Sequence, residues 1–337
     1  MKTVKNGTWP GVADEFLAIL RCTQCRGSLR QDADGLTCLQ CSHRVPVVGG
    51  LLRFVDAQQY AGSFGYQWLK HKHTQLDTEA SRRSEADFIE KTGLTPDDLR
   101  GKLVLDVGCG MGRYADVVTK WRAHVVGIDL SRAVEAAAQN LAGREALVLQ
   151  ADVFSLPFAP ESFDVIYSLG VLHHTPDCRL AFEKLPQLLK PGGKIAVWLY
   201  SAYNPWYRAS DFYRVFTRRM KPEWLHRLCT LAVPIYHIHN FLRKIPILGR
   251  PASGALRLAF PMSFNPDPEW RVLDTFDWYS AYYQSKHTYE EVFRWFETCG
   301  LREIRGGQVP ISVQGTRPGV PRPDSSSEEQ AVERCAG

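Results

Sequence analysis

Val104–Tyr114 reads VLDVGCGMGRY. An apolar strand ends in Asp106, glycines alternate at positions 108, 110 and 112, and a helix is expected to follow. Glycine lets backbone approach a ligand closely, and a helix N-terminus offers unpaired N–H groups and positive partial charge. Working outward, KLVLDVG, HVVGIDL, ALVLQAD, FDVIYS and KIAVWLY recur between Gly101 and Tyr200. Short runs rich in Val, Ile and Leu, separated by helical or loop text, predict a doubly wound α/β fold with a parallel sheet covered on both faces. Asp129 closes the second strand, about 20 residues past the glycines, where a carboxylate binds both hydroxyls of a ribose. Asp152 closes the third and suits an adenine amine. All five strands would present their carboxyl ends to one crevice, where open α/β sheets bind ligands.

The turn is G-x-G-x-G with an aspartate two residues before it, not the G-x-G-x-x-G of dinucleotide folds, and no G-x-x-x-x-G-K-[ST] loop is present. It suits a nucleoside without a pyrophosphate. With GIDLS, QADVFSLPF, FDVIYSLGVLHHTPD and LLKPGGKIAVWLY in order, Val104–Tyr200 resembles a class I S-adenosylmethionine-dependent methyltransferase of the methyltransferase type 11 kind, with its Rossmann-like fold. The resemblance implies that Asp106, Gly108, Gly110 and Gly112 form the cofactor turn. It implies that Asp129 and Leu130 hold the ribose, that Asp152 and Val153 flank the adenine, and that Leu169 borders the transfer region. A sulfonium favours aromatic faces, so Tyr66 and Trp68 in FGYQW are candidates to close over it. A hydroxyl acceptor needs a base near neutral pKa, which favours histidine. His173 and His174 follow the fourth strand, and His287 stands beside a helix start at Thr288. LGVLHH replaces the N-P-P-[YF] that amino-adenine methylases carry, which argues against methylation of a nucleobase amine.

The chain has 337 residues and a net charge of +5, which suggests about two domains and argues against a molecule built throughout for nucleic acid. No apolar run nears the roughly 18 residues of a transmembrane segment, and no secretory signal opens the sequence. Nine cysteines without a signal point to a reducing cytoplasm. Cys22-x-x-Cys25 and Cys38-x-x-Cys41, twelve residues apart, predict a closed, structural zinc site of four thiolates. The stretch from Leu20 to Asp56 resembles the small zinc-ribbon activating partners of tRNA- and protein-modifying methyltransferases, here fused to the same chain. The ribbon is either a metal-stapled brace or a docking module.

Residues 201–283 hold seventeen of the 38 aromatics, and between Ser201 and Met262 the local charge is +8. A folded, mainly helical insertion is expected there, forming an acceptor lid with Tyr203, Trp278, Tyr279, Tyr282 and Tyr283 around the substrate pocket. Its basic and aromatic mixture suits a phosphorylated substrate, peripheral membrane contact or RNA. The expected segments are a ribbon (1–56), a helical extension closing over the cofactor (57–100), the cofactor domain (101–200), the insertion (201–283), a closing helix with last strands (284–315) and a disordered tail (316–337). Three functions follow. The first is methyl transfer to oxygen or nitrogen of a small metabolite, sugar or natural product. The second is transfer to RNA or protein docked on the ribbon and basic insertion. The third is a cofactor-binding interaction protein without transfer.

Overall fold

The computed structural model describes residues 11–55, 60–203 and 205–319, with backbone only for 205–210. Residues 320–337, most of the expected tail, lie outside the described residues. The N-terminal segment carries a short helix, α1 (Asp14–Leu17), and an antiparallel meander. The strands are β1 (Leu29–Asp32), β2 (Gly35–Cys38), β3 (Arg44–Val48) and β4 (Leu51–Leu52). Three helices follow, α2 (Gly62–Lys70), α3 (Arg83–Thr92) and α4 (Pro96–Leu99).

The main sheet has seven strands: β5 (Leu103–Val107), β6 (His124–Asp129), β7 (Ala146–Gln150), β8 (Phe163–Leu169), β9 (Leu189–Trp198), β10 (Arg302–Gly306) and β11 (Ser312–Thr316). Their order is β10-β11-β9-β8-β5-β6-β7, parallel except that β11 runs against both neighbours. Helices α5 (Arg113–Lys120), α6 (Val134–Asn140) and α7 (Cys178–Glu183) lie in the crossovers. Val104, Leu105, Val125, Val126 and Ile166 are fully buried, as expected for strands covered on both faces. The register sets Val107 beside Ile128, Asp129 beside Gln150 and Leu169 beside Trp198, so these carboxyl ends share one edge. Strand order reverses between β5 and β8, the switch point at which such sheets open a crevice.

Five helices fill the interval after β9: α8 (Pro205–Thr217), α9 (Pro222–Cys229), α10 (Ala232–Leu242), α11 (Gly249–Ala259) and α12 (Pro268–Ser280). The chain then returns through α13 (Tyr289–Thr298) to the last two strands. Thr288 caps α13 by accepting from the Glu291 N–H at 3.3 Å, and Gly300 at φ +75° ends it. Thr316 and Arg317, expected in the tail, belong to the sheet: Thr316 pairs with Lys194 in β9 and the Arg317 N–H donates to the Gly193 carbonyl at 2.8 Å.

The N-terminal meander is built into the larger sheet. Arg53 pairs in parallel with Gln150 at the β7 edge, and the Phe54 N–H donates to the Gln150 carbonyl at 2.8 Å. Leu20 pairs with Phe158, and the Arg26 guanidinium donates to the carbonyls of Leu156 and Phe158. Leu20, Leu36 and Leu52 belong to the same buried cluster as Leu105, Val126 and Phe158.

Candidate functional site

The turn after β5 takes its shape from glycine. Gly108, Gly110 and Gly112 have φ of +80°, +54° and +86°, the left-handed region that side chains avoid. The N–H groups of Gly108 and Cys109 both donate to the Ile128 carbonyl, at 2.7 and 2.9 Å, and the Gly110 N–H donates to Asp129 Oδ2 at 3.0 Å. A Cβ on Gly108 would stand 2.2 Å from the Val171 side chain. Gly108→Ala is therefore expected to cost about 2 kcal/mol and lower Tm by roughly 5 °C. A melt that matches the parent would show that Val171 yields.

Beside this turn opens a cavity of about 420 Å³. Gly108, Gly110, Asp129, Leu130, Asp152, Val153 and Leu169 line one half, with Trp68 of α2 facing them. The Trp68 Nε1 lies 3.2 Å from where a Cβ on Gly110 would stand. Asp129 Oδ1 accepts from the Ser131 N–H at 2.8 Å and the Ser131 hydroxyl at 2.7 Å. Burial raises the Asp129 carboxyl above its ordinary value, against these hydrogen bonds. Asp152 Oδ1 accepts from the Phe154 N–H at 3.0 Å.

The far half of the cavity is aromatic and charged. Helix α3 contributes Arg83, Asp87 and Lys91, and α12 contributes Trp270, Leu273, Asp274, Asp277 and Trp278. The ends of β8 and β9 lead to His174, Trp198 and Tyr200. Asp87 Oδ2 accepts from Lys91 Nζ at 2.8 Å and the Tyr114 hydroxyl at 2.5 Å, and Arg113 Nη2 stands 3.2 Å away. Burial opposes ionisation of Asp87, yet Lys91 and Arg113 hold it below its ordinary value. Burial lowers Lys91, whose Nζ lies 3.8 Å from the Trp198 ring centroid. Asp274 is pushed up to about 7 by burial, with the charge of Asp277 adding and the Ser263 hydroxyl, at 3.0 Å, opposing.

His174 has one defined tautomer. Its Nδ1 lies 3.0 Å from the Tyr283 carbonyl, which only accepts, so Nδ1 carries the proton when the ring is neutral. Nε2 then keeps its lone pair, makes no hydrogen bond among the described residues and stands 3.8 Å from Asp277 Oδ2. That Oδ2 accepts from the Tyr200 hydroxyl at 2.5 Å. Burial lowers His174 below the ordinary histidine value, with Asp277 opposing, which favours the neutral ring.

Several residues expected at the site are elsewhere. Tyr66 points into a cluster with Phe276 and His226, because α2 turns Trp68, two residues on, toward the cavity. Asp106 is buried outside the lining, where desolvation raises it to about 7. Gly112 packs on Leu141 and Ala137 and serves helix packing. His173 is fully buried and stacks on Tyr200 with centroids 4.0 Å apart, so only the second histidine of the pair reaches the cavity. His287 lies 2.7 Å from the Ser285 hydroxyl and 3.0 Å from Glu291, holding the start of α13.

Of the expected substrate-pocket aromatics, Trp278 lines the cavity and the other four do not. Tyr203 donates to Glu290 at the surface, and Tyr279 is buried with its hydroxyl on the Pro261 carbonyl. Tyr282 is exposed, and Tyr283 stacks edge-on against Tyr60 with centroids 5.3 Å apart. Among the described insertion helices only α12 lines the cavity; the basic helices do not. Asp87, Lys91, Asp274 and Asp277 were not read from the sequence. The i, i+4 spacing of Asp87 and Lys91 and the i, i+3 spacing of Asp274 and Asp277 were the available signals, but such pairs are common on solvated faces.

A second cluster lies in the meander. The sulfurs of Cys22, Cys25, Cys38 and Cys41 all fall within 4.8 Å of one another, with Cys22–Cys41 at 3.6 Å and Cys25–Cys38 at 3.4 Å. Thiolates about 2.3 Å from a tetrahedral zinc ion stand ~3.8 Å apart, so the donor set fits that ion. The backbone N–H of Cys41, aided by that of Gln40, holds the Cys38 thiol down at about 6, toward the thiolate a metal needs.

Residues 105–197 match a family described as methyltransferase domain. Sterol 24-C-methyltransferase ERG6B of Gibberella zeae is 29% identical over 149 residues, 42% of this chain and 38% of its own length. Phosphoethanolamine N-methyltransferase 1 of Arabidopsis thaliana is 34% identical over 152 residues, 44% of this chain and 30% of its own length. A solved complex containing the Haloferax volcanii Trm112 methyltransferase activator aligns with 77% of this chain and all of that one, at 13% identity and a TM-score of 0.45. The chain spans well under half the length of the curated relatives it matches.

Proposed function

We propose that this chain, whose residues 105–197 match a methyltransferase domain, transfers a methyl group from S-adenosylmethionine to oxygen or nitrogen of a small acceptor. The observation that carries the reading is the single cavity running from the glycine turn to the carboxylate and aromatic wall of α12. Its residues fit the cofactor. Gly108 and Gly110 would pass the methionine end, Asp129 the ribose hydroxyls, Asp152 and Val153 the adenine, and Leu169 and Trp68 the sulfonium region. When bound, S-adenosylmethionine supplies an electrophilic methyl on a cationic sulfur. The protein positions the acceptor in line, and such positioning can supply much of the acceleration in a displacement. His174 lines the cavity's far half, with Nε2 buried and without a hydrogen bond among the described residues, and is the proposed base for the acceptor's proton. Asp277, 3.8 Å away, stabilises the imidazolium that results and is itself fixed by Tyr200.

The curated relatives include a sterol 24-C-methyltransferase, a phosphoethanolamine N-methyltransferase and a probable tRNA methyltransferase, so their names do not choose the acceptor and the cavity has to. No residue of 11–55 and none of the described part of 205–262 lines it. That favours a small acceptor over RNA or protein docked on the ribbon or basic helices, and its continuation past Leu169 favours transfer over cofactor binding alone. Cofactor with a radiolabelled methyl group, incubated with the protein and a source-cell extract split by size, tests this. Label in the small-molecule fraction is expected, and label that RNase or protease releases would overturn it. We also propose that the four-cysteine cluster holds one structural zinc ion.

His174→Ala is expected to lower kcat about 100-fold with the identified acceptor, within the usual range for a lost general base, and to leave cofactor affinity unchanged. In the parent, the acid limb of the rate profile is expected below the ordinary histidine value of 6.5, because burial lowers His174 and keeps it neutral there. A limb that persists in His174→Ala would assign the base elsewhere.

A further inference from the structure

We propose that helices α8 to α11 form a surface that docks in the plane of an anionic lipid bilayer. Among the described residues, thirteen of the eighteen exposed large apolar side chains fall between residues 212 and 258. They include Phe212, Phe216, Trp224, Phe241, Ile247 and Leu248, with Ile247 93% exposed and Leu248 72%. The cause is local. Tyr213 of α8 and Leu225 and Cys229 of α9 turn inward to Val272, Phe276 and Tyr279 of α12. Phe212 and Phe216 on α8, and Trp224 and Leu228 on α9, each pair one turn apart, are left outside, with Met220 exposed in the turn between the two helices. So dense a run of exposed apolar side chains marks an interaction site.

Charge selects the occupant. Arg219, Lys221, Arg227, Arg243, Lys244 and Arg250 are exposed in the same interval, whose one acidic residue is Glu223, with Asp211 just before it. A second copy of this chain would set one basic face against another. RNA would take the cations and stack on the rings, but it offers nothing to Ile247 and Leu248, which neither stack nor hydrogen-bond. An anionic bilayer satisfies both sets at once, phosphate headgroups on the cations and acyl chains on the apolar side chains. The tip RKIPILGR (243–250) has that pattern, with its most exposed aliphatic residues bracketed by cations. At Trp224 the Arg227 guanidinium lies 4.9 Å above the ring. No helix among the described residues is long and apolar enough to cross a membrane, so the contact lies along the surface. Helix α12 packs on these helices with one face and lines the cavity with another, so one helix separates the proposed lipid contact from the cavity.

Flotation of the full chain with vesicles tests this, with phosphatidylcholine alone against a mixture containing phosphatidylglycerol. Binding to the mixed vesicles is expected, at least tenfold weaker to the neutral ones and falling with salt. Ile247→Glu/Leu248→Glu is expected to weaken binding at least tenfold while its melt and far-ultraviolet circular dichroism match the parent, since both side chains are in solvent. Arg243→Glu/Lys244→Glu is expected to do the same at low salt. Absence of binding to either vesicle would overturn the proposal. So would equal binding to both, binding to a polyuridine strand without vesicle binding, or a dimer in sedimentation that Ile247→Glu/Leu248→Glu dissolves in a chain that ignores vesicles.

Discussion

Asp129→Ala is expected to weaken S-adenosylmethionine binding about 1000-fold in a calorimetric titration. A carboxylate that accepts from both ribose hydroxyls makes two charge-assisted hydrogen bonds, worth about 2 kcal/mol each. Their sum, about 4 kcal/mol, is close to three factors of ten in affinity. The same side chain also serves the turn, because it accepts from the Gly110 N–H at 3.0 Å and from Ser131 at 2.8 and 2.7 Å. Asp129→Asn separates the two duties. An amide oxygen still accepts one set of these bonds, but the charge is gone, so an intermediate loss of about tenfold is expected. The charged form is the one that binds, and burial raises Asp129 above its ordinary value. Acidification therefore weakens binding at a higher pH than an ordinary carboxylate would impose. An Asp129→Ala protein that keeps its circular dichroism and binds within threefold of the parent would remove the ribose assignment.

The residues that set the strand ends were legible because their signals are local. A glycine at φ +80° and a carboxylate closing a β-run sit in the chain where the strand stops, and strand register then carries Gly108, Asp129, Asp152 and Leu169 to one edge. The far half of the cavity was less legible because it is assembled by packing. His173 and His174 look alike in sequence, but only a short 3-10 turn decides which ring stacks under Tyr200 and which faces the cavity. Tyr66 and Trp68 differ by two residues on one helix, about 200° of rotation, so a pair cannot face the same ligand. The insertion was recognised as folded from its aromatic density. Which of its helices approaches the cavity depended on α12 packing against α2, α8, α9 and α10, a long-range arrangement that periodicity does not encode. Asp274 and Asp277 belong to that helix and stayed hidden with it.

Chelating the metal, or replacing Cys38 with Ser, is expected to lower Tm by roughly 10 °C in a single transition, and metal analysis of the parent is expected to find about one zinc per chain. The meander has strands of two to five residues and cannot bury enough surface to stand by its own packing. Structural zinc supplies folding free energy directly, on the order of 10 kcal/mol in isolated finger peptides. Here part of that support is replaced, because Leu20, Leu36 and Leu52 join the core of the larger sheet and Arg53 bonds Gln150 at 2.6 Å and Glu135 at 3.0 Å. A loss of about 3–4 kcal/mol is then reasonable, and at 2–4 °C per kcal/mol it gives the stated shift. The shared core makes the number of transitions informative. A ribbon that only hangs from the sheet would melt first and leave the upper transition at the parent temperature. A ribbon whose Leu20 pairs with Phe158 and whose Arg26 holds the carbonyls of Leu156 and Phe158 takes the β7 edge and the segment after Asp152 with it. Cofactor affinity should fall together with Tm in the metal-free protein, since that segment carries Val153 of the cavity wall. Two separated transitions with unchanged affinity would make the ribbon an appended module, and a parent free of zinc under reducing conditions would dismiss the metal site.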